Sequence, residues 1–494
     1  MPSRLLDVSP SGAGDRIRLI ELEPRTVVRY AALSYCWGDG VGHLTSTRAT
    51  IVSRRDQIHF HQLPRTFRDA VLVARALGVR YLWIDSLCIC QDDHKDWERE
   101  SARMAAVYTN AYLTLAATGG QDCNAGLFRC STLGPYIQLP YDTVDGAPSS
   151  VWTYPLDMRK EIFTSEYINM STEPLSKRGW AFQERVLSRR LLLFASDQIH
   201  FECLQGVVAE TGLKMDWRYH SVHLERDLEL PSEKGQEDEE TTKRTSLPSS
   251  HIDQAPTIMS RWLRLVRAYG DGKLTFPSDK LPALSGIAKL YSEMLNDEYV
   301  AGLWKKSILE GLSWQALGCK LPPDGKYRAP SWSWASVDGT ASGGYAGQRE
   351  PVATVLNCSV ELKGENPFGE VTGGRIEMEA PLVPLVLSET QGPTGHIYLR
   401  TEKGDPEGMY AGLDTISRAH KDSAELLNSM PLYSVVLVRL SGTERSETES
   451  HYFSLIVTPA EGAEGSMKRV GFLIHADSDL GPDDLKLRET FTLV

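Results

Sequence analysis

The feature that most constrains the fold of this chain is a run of ten residues, 81–90, that is almost entirely apolar. A strand with one face in water alternates apolar and polar residues, whereas a strand covered on both faces reads as a continuous apolar run. Helical periodicity precedes this run over residues 65–77 and follows it over residues 96–109, and further strand-like runs occupy residues 28–35 and 111–117. This alternation predicts a mostly parallel, helix-covered α/β sheet.

Length and composition divide the rest of the chain. A chain of 494 residues should hold more than one core, because single cores rarely exceed about 250–300 residues. We assign residues 25–205 to the α/β domain, residues 206–344 to a helical extension, and residues 345–494 to a β-rich C-terminal region. Within the extension, residues 221–256 are polar and charged, so we expect a disordered acidic loop there. Deleting residues 232–250 should leave the melting temperature nearly unchanged.

Charge and cysteine usage narrow the class of protein. The formal net charge of −12 argues against nonspecific binding to nucleic acid or to anionic membranes. No apolar run suits a signal peptide or a membrane-spanning helix, so we expect a cytoplasmic protein. Cys36, Cys88 and Cys90 should then be buried and unbridged, and no second cysteine pair completes a metal site. Trp332 and Trp334 should be at least partly buried against the helical region, because exposed they would promote aggregation.

Ligands in open α/β sheets bind at the carboxyl ends of the strands. Here those ends are predicted at residues 34–39 and 85–93. Alternation along the second strand puts Asp85 on one face between apolar side chains, where a carboxylate needs a partner. Asp85 either caps backbone amides, pairs with an arginine such as Arg178, or takes part in a ligand site.

The second helix offers another carboxylate. At 100° per residue, Trp97, Met104 and Tyr108 form one stripe, and Glu100 lies at its rim. A carboxylate in this position is either a boundary residue hydrogen-bonded to a neighbouring strand or a group that faces a cleft. Position alone favours the boundary role.

The segment that contains Gln183, Glu184 and Arg185 is a third source of an acidic side chain. We interpret it as a short helix whose polar residues brace the edge of the sheet. Arg178 and Arg189 are available beside it to bind carboxylates or phosphates.

Three blocks of the chain resemble a known family. They are YAALSYCWG at residues 30–38, the block at residues 82–117 that begins LWIDSLCIC, and the block at residues 178–203 that begins RGWAFQERVL. Their order and amino-acid sequences are similar to those of the signature blocks of the fungal heterokaryon-incompatibility (HET) domain. The resemblance implies an effector of non-self recognition and programmed cell death. HET domains are regarded as distant relatives of Toll/interleukin-1-receptor (TIR) domains, which have a flavodoxin-like arrangement and often cleave NAD⁺.

The TIR resemblance also implies a set of site residues. TIR domains begin with a strand that ends in Ser-Tyr or Ser-Phe, similar to Ser34 and Tyr35 here. TIR enzymes carry a glutamate on a helix, a few residues beyond a tryptophan, which makes Glu100 the expected catalytic residue. The expected substrate-binding residues are Ser34, Tyr35, Trp37, Asp85, Trp97 and Arg178. The resemblance implies NAD⁺ as the substrate, with no cofactor and no metal ion.

A single carboxylate suits this chemistry. Cleavage of the nicotinamide–ribose bond expels a neutral leaving group, so the reaction needs no general acid. It needs a carboxylate that holds ribose hydroxyls and stabilises an oxocarbenium-like transition state. Aromatic faces such as those of Tyr35 and Trp37 could stack on the bases, although such side chains are more often core residues.

A second hypothesis belongs to a different class. In it the same face is a non-enzymatic interaction module, which mediates self-association or binds another incompatibility protein to assemble a signalling complex. A cleft at the strand ends that converges on Glu100, Asp85 and Ser34 would favour the enzyme. A filled, flat edge would favour the module.

Overall fold

The chain divides into two compact units, Met1–Leu228 and Glu229–Val494. The computed structural model describes residues 1–8, 16–23, 25–39, 43–128, 137–153, 172–210, 212, 214–215, 258–322, 325–343, 348–388, 398–401, 409–415, 429–441, 451–462 and 464–494. The acidic loop predicted at residues 221–256, with its deletion 232–250, lies outside the described residues.

A ten-stranded sheet forms the first unit, with strand order β12-β11-β10-β9-β6-β3-β5-β1-β2-β4. Its strands are β1 (Arg4–Asp7), β2 (Arg16–Glu21), β3 (Tyr30–Ser34), β4 (Ile58–His59), β5 (Tyr81–Trp83), β6 (Leu113–Ala116), β9 (Arg190–Phe194), β10 (Ile199–Cys203), β11 (Gly206–Ala209) and β12 (Lys214–Met215). A separate hairpin consists of β7 (Ile137–Asp142) and β8 (Pro148–Thr153).

The centre of the sheet is parallel and its flanks are antiparallel. Strands β9, β6, β3 and β5 run parallel to one another, whereas β1, β2 and β4 on one side and β10, β11 and β12 on the other pair antiparallel. The prediction that strands in residues 28–35, 81–90 and 111–117 are neighbours is confirmed, since β5 and β6 flank β3. The expectation of a mostly parallel sheet is corrected to a mixed one. Every residue of β3 and β6 is buried, as strands covered on both faces require.

Six helices accompany this sheet in the described residues. They are α1 (Ser53–Asp56), α2 (Arg65–Ala76), α3 (Asp85–Cys88), α4 (His94–Ser101), α5 (Met104–Asn110) and α6 (Gly179–Leu187). Helix α2 confirms the predicted amphipathic helix: it begins after Pro64, buries Phe67 and Val71, and ends before Gly78. Gly78 has a φ of 66°, a left-handed conformation that glycine adopts without strain.

The apolar run at residues 81–90 is not one strand. Strand β5 ends at Trp83, and Asp85–Cys88 forms the single turn α3. The Asp85 side chain accepts the backbone N–H of Ser86 at 2.7 Å, and the N–H of Cys88 donates to the carbonyl of Ile84 at 2.8 Å. These local bonds turn the chain, so Asp85 does not share a strand face with Trp83 as the alternation predicted.

The predicted helix at residues 96–109 is also two helices. Helix α4 ends at Ser101 and α5 begins at Met104. At the junction, the N–H of Arg103 donates to the carbonyl of Glu100, and the Arg103 side chain donates to the hydroxyl of Ser3 at 2.8 Å. This long-range contact accompanies the break. The stripe that was expected to join Trp97 to Tyr108 is therefore interrupted.

The second unit is β-rich towards its C-terminus, as predicted. Its helices are α7 (Ile258–Tyr269), α8 (Ser285–Leu295), α9 (Ile308–Gly311) and α10 (Pro482–Lys486). Its strands are β13 (Tyr299–Val300), β14 (Leu303–Trp304), β15 (Gln315–Lys320), β16 (Asp338–Ser342), β17 (Gln348–Pro351), β18 (Thr354–Leu362), β19 (Val371–Leu387), β20 (Tyr398–Thr401), β21 (Met409–Leu413), β22 (Leu432–Ser441), β23 (His451–Pro459), β24 (Ser466–Ala476) and β25 (Arg488–Leu493).

The long strand β19 closes this sheet into a barrel. The ladder β22-β23-β24-β21-β20-β19 returns to its start, because β19 also pairs with β22. The other half of β19 pairs with β18 and β25. Aliphatic side chains from successive strands, among them Leu399, Leu432 and Leu473, fill a common core. A closed barrel leaves few strand edges unpaired. The free edges of this sheet are therefore those of the outer strands β17 and β18.

The tryptophan-rich segment packs as predicted. Trp332 and Trp334 are fully buried, and the indole N–H groups of Trp334 and Trp262 both donate to the carbonyl of Gly302. A Cβ at Gly302 would lie 2.6 Å from the Trp334 ring, so only glycine fits this position. In the first unit Cys36, Cys88 and Cys90 are buried and free, which confirms that prediction. Among the described residues, no helix combines the length and apolar character needed to cross a bilayer.

Candidate functional site

The strand order of the first unit has a topological switch point between β3 and β6. From β3 the chain passes to β5 on one side and then to β6 on the other, so the direction of winding reverses between β3 and β6. In open α/β sheets, the carboxyl ends of the strands at such a point are where ligands bind. Ser34 ends β3, and its carbonyl accepts the N–H of Ala117, just beyond β6, at 2.8 Å.

A cavity of about 60 Å³ lies at this position. Its polar lining residues are Ser34, Thr118, Ser176 and Arg185, and the remaining lining residues are aliphatic or aromatic. That volume is enough for several water molecules. The sheet edge at the strand ends is therefore neither flat nor completely filled.

A buried carboxyl group stands directly behind the cavity wall. Glu184 on α6 is 4% exposed, and the hydroxyl of Ser34 donates a hydrogen bond to it. Burial raises the pKa of the Glu184 carboxyl to about 7, while Arg178 and the Ser34 hydroxyl partly oppose the rise. Asp85 adds to the rise, so both acids belong to one electrostatic neighbourhood. At neutral pH the Glu184 carboxyl can exchange a proton.

Helix α6 separates the acidic and basic side chains of the Gln183–Arg185 segment. Successive helical residues point about 100° apart, so Glu184 faces the sheet while Arg185 turns aside. Arg185 donates to Glu202 on β10 at 3.0 Å. The bracing role expected of this segment fits Arg185. Within the described residues no ion pair joins Glu184 to an arginine, and its carboxyl accepts the hydroxyl of Ser34 instead.

A second group of side chains surrounds Asp85. The indole N–H of Trp37 donates to Asp85 at 2.7 Å. The ring of Trp37 lies 4.4 Å from that of His43, and the His43 imidazole shares a 2.8 Å hydrogen bond with the hydroxyl of Tyr35. Burial, followed by Asp85, raises the pKa of Tyr35 well above its usual value. Burial also lowers the pKa of His43, so this imidazole is mostly neutral at pH 7.

A scan against protein-family models identifies the region that contains these residues. Residues 30–184 match the model described as Heterokaryon incompatibility protein (HET). The first unit carries a HET domain. This domain associates the chain with heterokaryon incompatibility. No curated protein and no solved structure gave a match.

The HET domain brings most of the predicted substrate-binding residues together. Arg178 donates to the carbonyl of Tyr35, next to Ser34, and its charge acts on both Tyr35 and Glu184. Ser34, Tyr35, Trp37, Asp85 and Arg178 therefore lie in one neighbourhood at the strand ends. Trp97 is half-buried on α4, where its ring lies 6.3 Å from that of His94. In the part of the chain that the structure describes, no three His, Cys, Asp or Glu side chains cluster to hold a metal ion.

Glu100 of the HET domain lies among other partners. It is 3% exposed and accepts the hydroxyl of Ser3 at 2.7 Å. The guanidinium of Arg99 is 3.3 Å from its carboxylate, and that of Arg103 is 3.9 Å away. These contacts fit the boundary role that its position favoured. Its catalytic role stays a prediction.

The sequence offered Glu184 as an acidic side chain but its segment was interpreted as a brace for the sheet edge, although a signal for a site residue was present. Trp180 precedes Glu184 by four residues on one helix, α6. The pattern of a tryptophan followed by a glutamate on a helix after a strand is the one that selected Trp97 and Glu100. Two segments of the chain contain this pattern. Only the fold shows that Glu184 contacts Ser34, which lies 150 residues away in the sequence.

Proposed function

We propose that the HET domain is an effector of fungal non-self recognition that promotes cell death by hydrolysing NAD⁺ at the carboxyl ends of β3 and β6. The observation that carries this proposal is the Glu184 carboxyl, which is buried beside a cavity and hydrogen-bonded to Ser34. A buried acid with a raised pKa in such a position is typical of catalytic sites. The parallel strands β5-β3-β6-β9 also support it, because their chain order 2-1-3-4 is that of flavodoxin-like sheets.

The proposed reaction needs one carboxylate. The bond between the nicotinamide nitrogen and C1′ of the ribose breaks, and its electron pair leaves with neutral nicotinamide. Water adds its oxygen to C1′ and loses a proton, which gives ADP-ribose. In this scheme the ionised Glu184 carboxylate stabilises the cationic sugar and accepts the proton from water. Because the pKa of Glu184 is about 7, turnover should increase as the pH rises through this value.

The neighbouring side chains suit the remaining parts of the substrate. Ser34 lines the cavity and holds Glu184, so a ribose hydroxyl entering the cavity meets this pair. Trp37 offers an aromatic face for stacking, and Arg178 offers a cation for a phosphate. A cavity of about 60 Å³ holds only a small part of a dinucleotide. The proposal therefore requires the site to widen when NAD⁺ binds.

The test measures free nicotinamide after the purified full-length protein is incubated with NAD⁺. The protein concentration is varied, because we expect self-assembly to affect activity. Glu184→Gln keeps the shape of the side chain and removes its charge. We expect it to lower nicotinamide release on the order of a hundred- to thousandfold. The matched variant Glu100→Gln, also at a buried glutamate of the HET domain, should retain most of the activity.

The reverse outcome would assign the chemistry to Glu100, as the sequence predicted. Absence of nicotinamide release at every concentration would instead favour the interaction module. The small volume of the cavity is the observation that supports this alternative. In that case wild-type protein should still self-associate or bind another incompatibility protein, which sedimentation measures without any substrate.

A further inference from the structure

The second unit contains a larger groove that the proposed function does not use. Its volume is about 570 Å³, within the range of about 300–1,000 Å³ that is usual for ligand sites. Four segments line it: residues 305–310 around α9, Arg349 and Pro351 of β17, residues 355–358 of β18, and Val438 of β22. We name it the β18 groove.

The groove runs along the edge of β18 rather than over one of its faces. Side chains of a strand alternate between its two faces, so a groove over one face touches every second residue. The β18 groove touches four consecutive residues, 355–358. Within the described ranges, β18 pairs only with β19, from Thr354 to Leu362. The N–H and C=O groups of its other edge therefore face the groove.

This edge also presents an apolar side chain. The pairing register of β18 shifts between Val355 and Asn357, so Leu356 is the extra residue of a bulge. Bulges re-aim side chains, and Leu356 is 51% exposed and lines the groove. Natural edge strands are usually protected by charged residues or proline. An exposed leucine on a free edge is a surface on which another strand can pair.

The groove lining carries three cations, Lys305, Lys306 and Arg349, and one carboxylate, Glu310, in a chain whose formal net charge is −12. Lys305 and Arg349 have acidic partners, Glu298 and Glu310. The exposed Lys306 instead bonds through Nζ to the carbonyl of Asn296, which carries no charge. The groove therefore retains a cation that an acidic ligand can pair with.

We propose that the β18 groove binds an extended, acidic peptide segment of a partner protein as an added strand. Main-chain hydrogen bonds to the free edge supply affinity in this mode of recognition, and side chains supply specificity. An aliphatic side chain of the peptide packs against Leu356, and an acidic side chain pairs with Lys306. At about 3.3 Å per residue, the four groove residues span about 13 Å, which matches a segment of roughly four residues.

The experiment uses full-length protein and two fluorescein-labelled hexapeptides, one alternating Val and Glu and one alternating Val and Lys. Fluorescence anisotropy should show saturable binding of the Val-Glu peptide and about tenfold or weaker binding of the Val-Lys peptide. Lys306→Glu should lower the affinity for the Val-Glu peptide about fivefold or more. Lys486→Glu, at a surface lysine of α10 outside the groove, should leave it unchanged. Hydrogen exchange should slow in β18 when the peptide binds.

Several results would overturn the proposal. They are equal affinity for the two peptides, equal losses in Lys306→Glu and Lys486→Glu, absence of saturable binding, or displacement of the bound peptide by laurate without any exchange protection in β18. The last of these would identify a site for small amphiphiles. Leu356→Asp provides a second variant at an exposed position, and it should weaken binding of the Val-Glu peptide without lowering the melting temperature. None of these outcomes depends on nicotinamide release.

Discussion

Each unit contains a buried carboxyl group that can be compared with one in the other, Glu184 in the first unit and Asp414 in the second, and the two are held in opposite ways. Asp414 in the second unit is paired with Arg469, whose Nε and Nη2 lie 2.8 and 3.2 Å from its two oxygens. The same guanidinium donates to the carbonyls of Leu312 and Trp314 and lies 3.6 Å over the Trp314 ring. Burial raises the pKa of Asp414, and Arg469 opposes the rise.

Glu184 in the first unit is similarly buried, but neutral hydroxyls of Ser34 and Tyr108 hold it, and Arg178 acts on it through its charge. All three guanidinium nitrogens of Arg469 donate to protein acceptors, and the side chain is fully buried. Glu184 can change both its proton and its partner without breaking an ion pair. Burial by itself therefore does not distinguish a structural acid from a reactive one, whereas the identity of its partner does.

The largest effect on stability should come from breaking the Asp414–Arg469 pair. Arg469→Met leaves a buried carboxylate without its cation, and such a loss costs about 3–5 kcal/mol. Urea unfolding followed by tryptophan fluorescence measures the change, since Trp314 lies beneath the guanidinium. The double variant Arg469→Met/Asp414→Leu should recover most of the loss, because an apolar pair carries no uncompensated charge.

The control is Arg375→Met, at an arginine whose side chain is 69% exposed. Its unfolding free energy should change by less than about 0.5 kcal/mol. If Arg469→Met behaved like this control, the pair would not be structural. If the double variant were as unstable as the single one, lost packing rather than unpaired charge would be the cause.

The second prediction uses pH to detect the state of Glu184. Burial raises its pKa from 4.5 to about 7 in the folded chain. Between these values the folded state binds more protons than the unfolded state, so this group makes the fold less stable as pH rises through that window. The glutamine in Glu184→Gln cannot ionise, so this variant does not lose stability as the pH rises. Its stability relative to wild type should therefore increase from pH 5 to pH 8, by on the order of 3 kcal/mol.

Unfolding free energies of wild type and Glu184→Gln, measured at several pH values in that window, test this prediction. Glu98→Gln, at an exposed glutamate, is the matched control, and its difference from wild type should stay small throughout. A constant difference between Glu184→Gln and wild type would show that Glu184 does not change its protonation state in this pH window. The contrast between the two units would then disappear.

The sequence predicted the parallel core because its signal is local and strong. Strands β3 and β6 are continuous apolar runs, and helix α2 has a regular apolar stripe. The run at residues 81–90 was ambiguous, since a short apolar stretch fits a strand or a buried turn equally well. Hydrogen bonds around Asp85 stabilise the turn rather than a strand. A contact between Arg103 and Ser3 accompanies the break between α4 and α5. The periodicity of apolar residues does not predict these hydrogen bonds.

The candidate site was predicted in part for the same reason. The rule that ligands bind at strand ends pointed to Ser34 and Asp85, and both lie there. The choice between Glu100 and Glu184 depended on which helix reaches the end of β3. That depends on the pairing of β6 with β9, which positions α6, and no local pattern encodes it. Residues that converge over long stretches of chain are the part of a site that sequence alone leaves open.

The smallest predicted effect concerns Ser34, the partner that distinguishes Glu184 from Asp414. The Ser34 hydroxyl lowers the pKa of Glu184 by donating to its ionised form, so Ser34→Ala should raise that pKa above about 7. A hydrogen bond to a charged group contributes about 1.5–3 kcal/mol, so the midpoint of the pH profile of nicotinamide release should move up by about one to two pH units. Activity should fall at pH 7 and recover at higher pH, because more of the carboxyl is then ionised. Ser176→Ala, at another serine of the cavity lining, should leave the midpoint unchanged. A midpoint that stayed in place or moved down in Ser34→Ala would mean that Ser34 does not control the proton on Glu184.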